Sequence, residues 1–351
     1  MVSSAANNSR RPELKTLLVP VLVISSGLLV GCRSLDSLET GPCLEEAIAG
    51  EAMTCSVGGT EREYDLVLPA DYNPETPTGL VIVLHGGGGN KSATLRTTCP
   101  WGDIDDPECL HAVATEHSLA VVAPNGTDGF LDARSWNAGG GGDGFRCVGG
   151  NACDENTDDI AFTEALLDDI ATRMNLDSGR VYVTGISNGG AMAHRLACEL
   201  PERITAIAAV GGANQFTTNA TCDPAITIPI LQVHGTEDPC WRFEGGEPNC
   251  PVGQRDKKFV SVARTMSEWS ALKRCSRTPL EDQLPDTESD GTTTLRRTWQ
   301  ECATELTLLK IEGGGHTWPR GFQYLGTNTI GPVPQDWGNE VIVTFFLKHR
   351  R

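Results

Sequence analysis

The chain has 351 residues, 13 cysteines and a formal net charge of −18. A surface this acidic disfavours nucleic acid and anionic polymers as partners and suits neutral substrates. No Cys-x-x-Cys pair and no histidine-rich run offers a zinc site, so the cysteines point to disulfides and an oxidising compartment.

The first 31 residues read as a leader outside the fold. Arg10, Arg11 and Lys15 form a basic start, and 16–30 is an apolar run of signal-peptide length. Leu29-Val30-Gly31-Cys32 resembles a lipobox, with a small residue before the scissile bond and a thiol to carry diacylglycerol. Residues 1–31 are therefore expected to be a lipoprotein signal peptide and Cys32 the lipidated residue. Residues 32–42 are a short polar tether, and 43–351 one folded domain. Lipid on Cys32 would fasten that domain to a bacterial membrane, on the periplasmic side or the cell surface. Ser9-Arg10-Arg11-Pro12-Glu13-Leu14-Lys15 also hints at a twin-arginine signal, although Glu13 departs from it. Removing the leader takes out three basic residues and one acidic residue, which leaves a charge of about −20. Setting Cys32 aside leaves twelve cysteines. Local spacing suggests the pairs Cys43–Cys55, Cys99–Cys109, Cys147–Cys153, Cys198–Cys222, Cys240–Cys250 and Cys275–Cys302.

Within the domain, strand and helix patterns alternate. Residues 63–68 alternate polar and apolar, as an edge strand does. The run 80–84 reads as a buried strand and passes into His85-Gly86-Gly87-Gly88-Gly89-Asn90. Another buried strand covers 119–123. A glycine-rich loop spans 138–150, and a helix is expected over 158–174. The β-branched run 181–184 leads into Gly185-Ile186-Ser187-Asn188-Gly189-Gly190, and a helical pattern starts at Ala191. Strands follow at 204–210 and at 228–234, the latter ending in Gly235-Thr236-Glu237-Asp238. Residues 277–291 read as a loop, 293–299 and 306–311 as late strands, and 337–348 as a terminal helix. This order predicts an α/β fold with a mostly parallel central sheet and helices on both faces. About 300 residues fit a single such domain.

The chemistry concentrates at strand ends. Gly185-Ile186-Ser187-Asn188-Gly189 is a Gly-x-Ser-x-Gly elbow between a strand and a helix, which makes Ser187 the candidate nucleophile. A serine needs a base, and the base needs an orienting acid. Of seven histidines, His316 alone lies in a late glycine-lined loop, Gly313-Gly314-Gly315-His316-Thr317-Trp318-Pro319. The acid should fall between the two in chain order, which selects Asp238, with Glu237 as the near rival. Backbone amides must meet the charge that develops on the substrate oxygen. The first choices are Gly87, with Gly88 second, and Asn188. His85 is expected to buttress the glycine loop, and His234 holds the same strand-end position. Trp136, Trp241 and Trp318 are candidates for an aromatic substrate wall. The acidic stretches 103–106 and 154–159 lack EF-hand spacing and read as solvated loops rather than calcium sites.

Together these blocks resemble the α/β-hydrolase group of polyhydroxybutyrate depolymerases and the related feruloyl and acetylxylan esterases. The likeness spans roughly 56–348. It includes Asp158-Asp159-Ile160-Ala161-Phe162 before the elbow and Arg195-Leu196-Ala197-Cys198-Glu199-Leu200-Pro201 after it. The resemblance implies a catalytic domain over 43–351, the triad Ser187, Asp238 and His316, and no cofactor. It also implies the Cys198–Cys222 and Cys275–Cys302 pairs. The cysteine-bounded segment from Pro239 to Cys250 departs from the family pattern and leaves substrate choice open. The expected function is a lipid-anchored serine carboxylesterase acting on feruloyl or acetyl esters of polysaccharide fragments. The alternatives are a polyhydroxyalkanoate depolymerase and, in another class, a non-catalytic binding protein on the same scaffold.

Overall fold

Ten strands form one sheet among the described residues: β1 (Met53–Val57), β2 (Thr60–Val67), β3 (Thr78–Leu84), β4 (Leu119–Pro124), β5 (Leu176–Ile186), β6 (Ala206–Val210), β7 (Ile230–Gly235), β8 (Leu280–Gln283), β9 (Thr293–Thr298) and β10 (Leu306–Glu312). Their order is β1-β2-β4-β3-β5-β6-β7-β10-β9-β8. The centre, β4-β3-β5-β6-β7-β10, is parallel, and the flanks are antiparallel. This is a computed structural model, and it describes residues 53–57, 60–129, 132–139, 150–223, 225, 228–250, 258–276 and 278–351. The expected signal peptide, Cys32, the tether, Cys43, Cys147 and most of the glycine-rich loop lie outside them.

Both faces of the central strands are covered, so their sequences read as unbroken apolar runs. In β3, Leu80, Ile82 and Leu84 face one core, which α3 (Asp159–Arg173), α4 (Asn188–Glu199) and α5 (Val262–Leu272) cover through Phe162, Leu166, Met192, Leu196, Met266 and Trp269. Val81 and Val83 face the other, with Leu110 and Val113 of α2 (Leu110–Glu116) and Ile342, Val343 and Phe346 of α7 (Asn339–Leu347). Three helices begin on side-chain caps. Asn90 caps α1 (Lys91–Thr97) through Ala93 N, Asp158 caps α3 through Ala161 N, and Ser261 caps α5 through Arg264 N. A short helix, α6 (Thr327–Ile330), follows the His316 loop.

Two sequence expectations need correction. The strand read at 63–68 as an edge is β2, and β1 lies outside it. Its alternation is real: Arg62, Tyr64 and Leu66 are buried while Glu61 and Glu63 are exposed. That period reports which face is covered, not whether an edge is paired. The loop expected at 277–291 contains β8. All four β8 residues are exposed, so no apolar period marks it. Cross-strand pairs Asp282–Arg296 and Glu281–Arg297 hold it to β9. The two late strands are paired with each other, antiparallel.

Four of the expected disulfides are present: Cys99–Cys109, Cys198–Cys222, Cys240–Cys250 and Cys275–Cys302. Cys153 is disulfide-bonded as well.

Candidate active site

Parallel strands end together along one rim, where loops can converge. Four neighbouring ends carry the candidate residues. β5 runs into Ser187, β7 into Asp238, β10 into His316 and β3 into the His85–Gly89 loop.

Ser187 has φ 57° and ψ −120°, a left-handed conformation held between β5 and α4. Its amide donates to Val210 O at 2.8 Å, and its carbonyl accepts the first helical bond from Ala191 at 2.9 Å. The motif's glycines are required by close approach. A Cβ on Gly185 would sit 2.7 Å from Leu84 O, and one on Gly189 would sit 2.3 Å from the same oxygen. The turn therefore presses directly on the end of β3.

His316 and Asp238 meet across 78 positions of sequence, with His316 Nδ1 2.7 Å from Asp238 Oδ2. Both side chains are buried. The histidine loop reaches over β7 because Gly315 packs against backbone; a Cβ there would lie 2.3 Å from Ile330 O. Tyr324 Oη donates to His316 O at 2.9 Å and pins the loop from the outside. The other carboxylate oxygen, Asp238 Oδ1, accepts from Cys240 N and Trp241 N, each at 2.8 Å. Burial works against ionisation of Asp238, but His316 and His234 beside it outweigh burial and hold the carboxyl at about 2. Glu237, the sequence rival, is exposed on the next position.

Gly211 links the pair to the elbow. Its Cβ direction ends 3.4 Å from His316 Nδ1 and 3.7 Å from Asp238 Oδ2. Its neighbour Val210 carries the carbonyl that holds the Ser187 amide. The His316 ring thus stands one backbone residue away from the strand that supports Ser187.

The oxyanion candidates separate on hydrogen bonding. Gly88 N donates to Arg134 O at 2.8 Å and Gly89 N to Gly86 O at 3.0 Å, so neither is free for a substrate. The second choice of the sequence, Gly88, is thereby removed. Gly87 N makes no such bond among the described residues, and Gly86 beside it lies against Ser187, its Cβ direction ending 3.4 Å from Ser187 Cβ. Asn188 N is the first amide of α4 and has no intrahelical acceptor. The Asn188 side chain clasps Trp136 instead, accepting from its N at 2.7 Å and donating to its O at 2.9 Å. His85 buttresses the loop: Nε2 accepts from Gly126 N at 2.8 Å and Nδ1 donates to Gly86 O at 2.8 Å. Burial lowers its pKa to about 4, so it stays neutral.

The expected aromatic wall does not form. Trp136, Trp241 and Trp318 are all buried. Their indole N–H groups donate to His85 O, Val260 O and Asn339 Oδ1. They anchor loops around the site and offer no free ring face to a substrate. Sequence reading also assigned no role to a buried brace beside the elbow. Arg62 pairs with Asp159 at 2.6 Å, and Asp159 Oδ2 accepts from Asn137 N at 2.6 Å. Arg195 donates to Asn137 O. The acidic stretches 103–106 and 154–159 have local duties: Asp103 and Asp106 accept backbone amides in turns, and Asp158 caps α3.

The parallel sheet and strand-end site define an α/β-hydrolase. Residues 155–248 match the phospholipase/carboxylesterase family model. The chain is 28% identical over 281 residues to NocK of Nocardia uniformis subsp. tsuyamanensis, a protein that carries an esterase name; 76% of this chain and 73% of that one are covered. It is 25% identical over 260 residues to feruloyl esterase C of Emericella nidulans, covering 74% of this chain and 78% of that one. Among solved structures, it is similar to an acetyl xylan esterase from Aspergillus awamori, with a TM-score of 0.45 and 15% identity over 76% of this chain and 94% of that one. The chain has the α/β-hydrolase fold and is similar to proteins named as esterases.

Proposed function

We propose that the protein is a serine carboxylesterase in which Ser187 is the nucleophile, His316 the base and Asp238 the orienting acid. The observation that carries this reading is the buried 2.7 Å bond between His316 Nδ1 and Asp238 Oδ2, one residue from the strand supporting the Ser187 elbow. With Nδ1–H donated to the carboxylate, His316 Nε2 keeps a lone pair for the Ser187 hydroxyl proton. Ser187 Oγ bonds to the ester carbonyl carbon as that proton moves to Nε2. The negative oxygen faces the amides of Gly87 and Asn188. The C–O bond to the alcohol then breaks, and the alcohol leaves with the proton from His316. Water repeats the sequence: its proton goes to His316, its oxygen bonds to the acyl carbon, and the acyl–Oγ bond breaks with return of the proton to Ser187.

The substrate class is feruloyl or acetyl esters on polysaccharide fragments, supported by the names of the relatives and by the acidic surface that suits neutral chains. Polyhydroxyalkanoate remains the second reading within the same mechanism. The compartment is extracytoplasmic, supported by the disulfides, with lipid on Cys32 as the anchor. A Cys32→Ala variant should leave the membrane fraction and lose incorporated palmitate.

One panel tests the catalytic reading: methyl ferulate, acetylated xylan, short hydroxybutyrate oligomers and p-nitrophenyl acetate. Ser187→Ala should abolish turnover of every ester hydrolysed by the parent while its melting temperature is unchanged. A folded Ser187→Ala protein that keeps most of its activity would remove the proposal.

A further inference from the structure

Behind the candidate acid runs a line of buried polar side chains to which the ester chemistry assigns no role. Asp238 Oδ2 faces two imidazoles, His316 Nδ1 at 2.7 Å and His234 Nε2 at 3.3 Å. His234 Nε2 also lies 2.7 Å from Trp241 O. A carbonyl only accepts, so His234 Nε2 carries the hydrogen and donates it to Trp241 O, with the same N–H edge 3.3 Å from Asp238 Oδ2. His234 Nδ1 must then accept, and Gln232 Nε2 stands 3.3 Å away. The same amide donates to Gly212 O at 3.0 Å, which orients it with Oε1 turned toward α4. Gln232 Oε1 lies 2.8 Å from His194 Nε2. At the far end, Trp269 Nε1, a group that can only donate, meets His194 Nδ1 at 3.1 Å.

The tautomers are thus set twice, independently. From one end, the indole of Trp269 forces His194 Nδ1 to accept and Nε2 to donate. From the other, the carbonyl of Trp241 forces His234 Nε2 to donate and Nδ1 to accept. Both agree with one orientation of Gln232, so every donor along the line points toward Asp238. Trp269, His194, Gln232 and His234 are all buried, out of reach of bulk water that could supply alternative partners.

We propose that His234, oriented through Gln232 and His194 by Trp269, is a positioning residue for the catalytic acid. Its N–H edge, 3.3 Å from the oxygen that bonds His316, offsets part of that oxygen's charge and sets how much of it His316 receives. This rests on the triad proposed above. Removing that N–H edge leaves the negative charge on Oδ2 less offset, which favours protonated His316. The acidic limb of the rate profile then moves to higher pH. Burial lowers the His194 pKa to about 4, so that ring stays neutral in the working range. Other ionisable groups around Asp238 are Glu237, Arg242 and Glu244 from its own loop and Tyr324 from the segment outside His316. Lys310 lies over Phe243, whose ring meets His234 edge-on. All of them are unchanged in the variants below.

The test is kcat/KM for p-nitrophenyl acetate against pH in the full-length protein, with folding followed by circular dichroism. His234→Phe keeps the ring and removes the donor. It should lower kcat about tenfold at fixed KM and raise the acidic limb by roughly half a pH unit or more. His234→Gln retains a donor at the Nε2 position and should restore most of both. Trp269→Phe, distant from the ester, should move the limb in the same direction by a smaller amount. A fall in kcat with no movement of the limb, or a Gln variant no better than Phe, would overturn the proposal. Should His234→Phe fail to fold, Trp269→Phe decides: an upward shift supports the device and an unmoved limb rejects it. Ser187→Ala in the same series keeps the two readings apart. If it stays active, the triad is wrong; if it is dead while the limb never moves, only the positioning role fails.

Discussion

At the scale of single residues, the site turns on which of two adjacent carboxylates is buried. Asp238 spends Oδ1 on two backbone amides and Oδ2 on imidazole, whereas Glu237 faces solvent. Asp238→Asn should therefore cost about 10⁴ in kcat by stabilising the wrong His316 tautomer. Glu237→Gln should leave the rate within a factor of about two, because an exposed group one position away has no role in that bond. Steady-state kinetics on p-nitrophenyl acetate separates the two, and a larger loss in the Glu237 variant would reassign the acid. Asp238 also links stability to acid. Its carboxyl is held at about 2 in the fold against an ordinary value of 3.8. Its contribution to stability is complete above the ordinary value and is lost as pH falls through about 2.

Among elements, the elbow and the far end of α5 carry opposite lessons. The elbow tolerates no added atom. Gly189→Ala would place a methyl 2.3 Å from Leu84 O and 2.6 Å from His85 O, both rigid backbone. It should yield insoluble or inactive protein, while Gly326→Ala, which meets nothing within 4 Å, should melt within a degree or two of the parent. Lys273 caps α5 as a fully buried amine bonded to Ile228 O and Thr304 Oγ1. Burial pushes its pKa down to about 7 from 10.5. Between those values the unfolded chain binds the extra proton, so this residue makes stability rise with pH across that window. Urea midpoints at pH 7, 8 and 9 should climb more steeply for the parent than for Lys273→Met. Parallel slopes would mean the amine remains charged inside the fold.

For the whole molecule, disulfides fasten loops rather than the sheet. Cys240–Cys250 closes the segment directly after Asp238, and Cys275–Cys302 ties the end of α5 to the turn before β10. Short loops of this kind contribute roughly 2–3 kcal/mol each. Mild reduction should abolish hydrolysis at temperatures where the far-ultraviolet dichroism of the sheet persists; simultaneous loss of both signals would place the bridges in the core's own cooperativity.

The sheet class, four of the local cysteine pairs and the strand-end positions of Ser187 and His316 were legible in the chain. Strand-end motifs, glycine spacing and unbroken apolar runs are local consequences of backbone geometry. β8 was not legible, because a strand exposed along its whole length carries no apolar period. Nor was the fate of the tryptophans: composition supplies aromatic rings, but whether a ring lines a cleft or anchors a loop depends on what folds over it. Gly87 already stood ahead of Gly88 in the sequence, but the reason that excludes Gly88 is a carbonyl 46 positions away, at Arg134. The line from Trp269 to Asp238 was equally hidden, since its members come from α5, α4 and β7 and acquire direction only when packing removes water and sets each donor against the acceptor of the next group. Sequence determined which groups were available and roughly where the backbone would carry them. Tertiary structure alone decided which polar atoms were already satisfied, and therefore which remained free for chemistry.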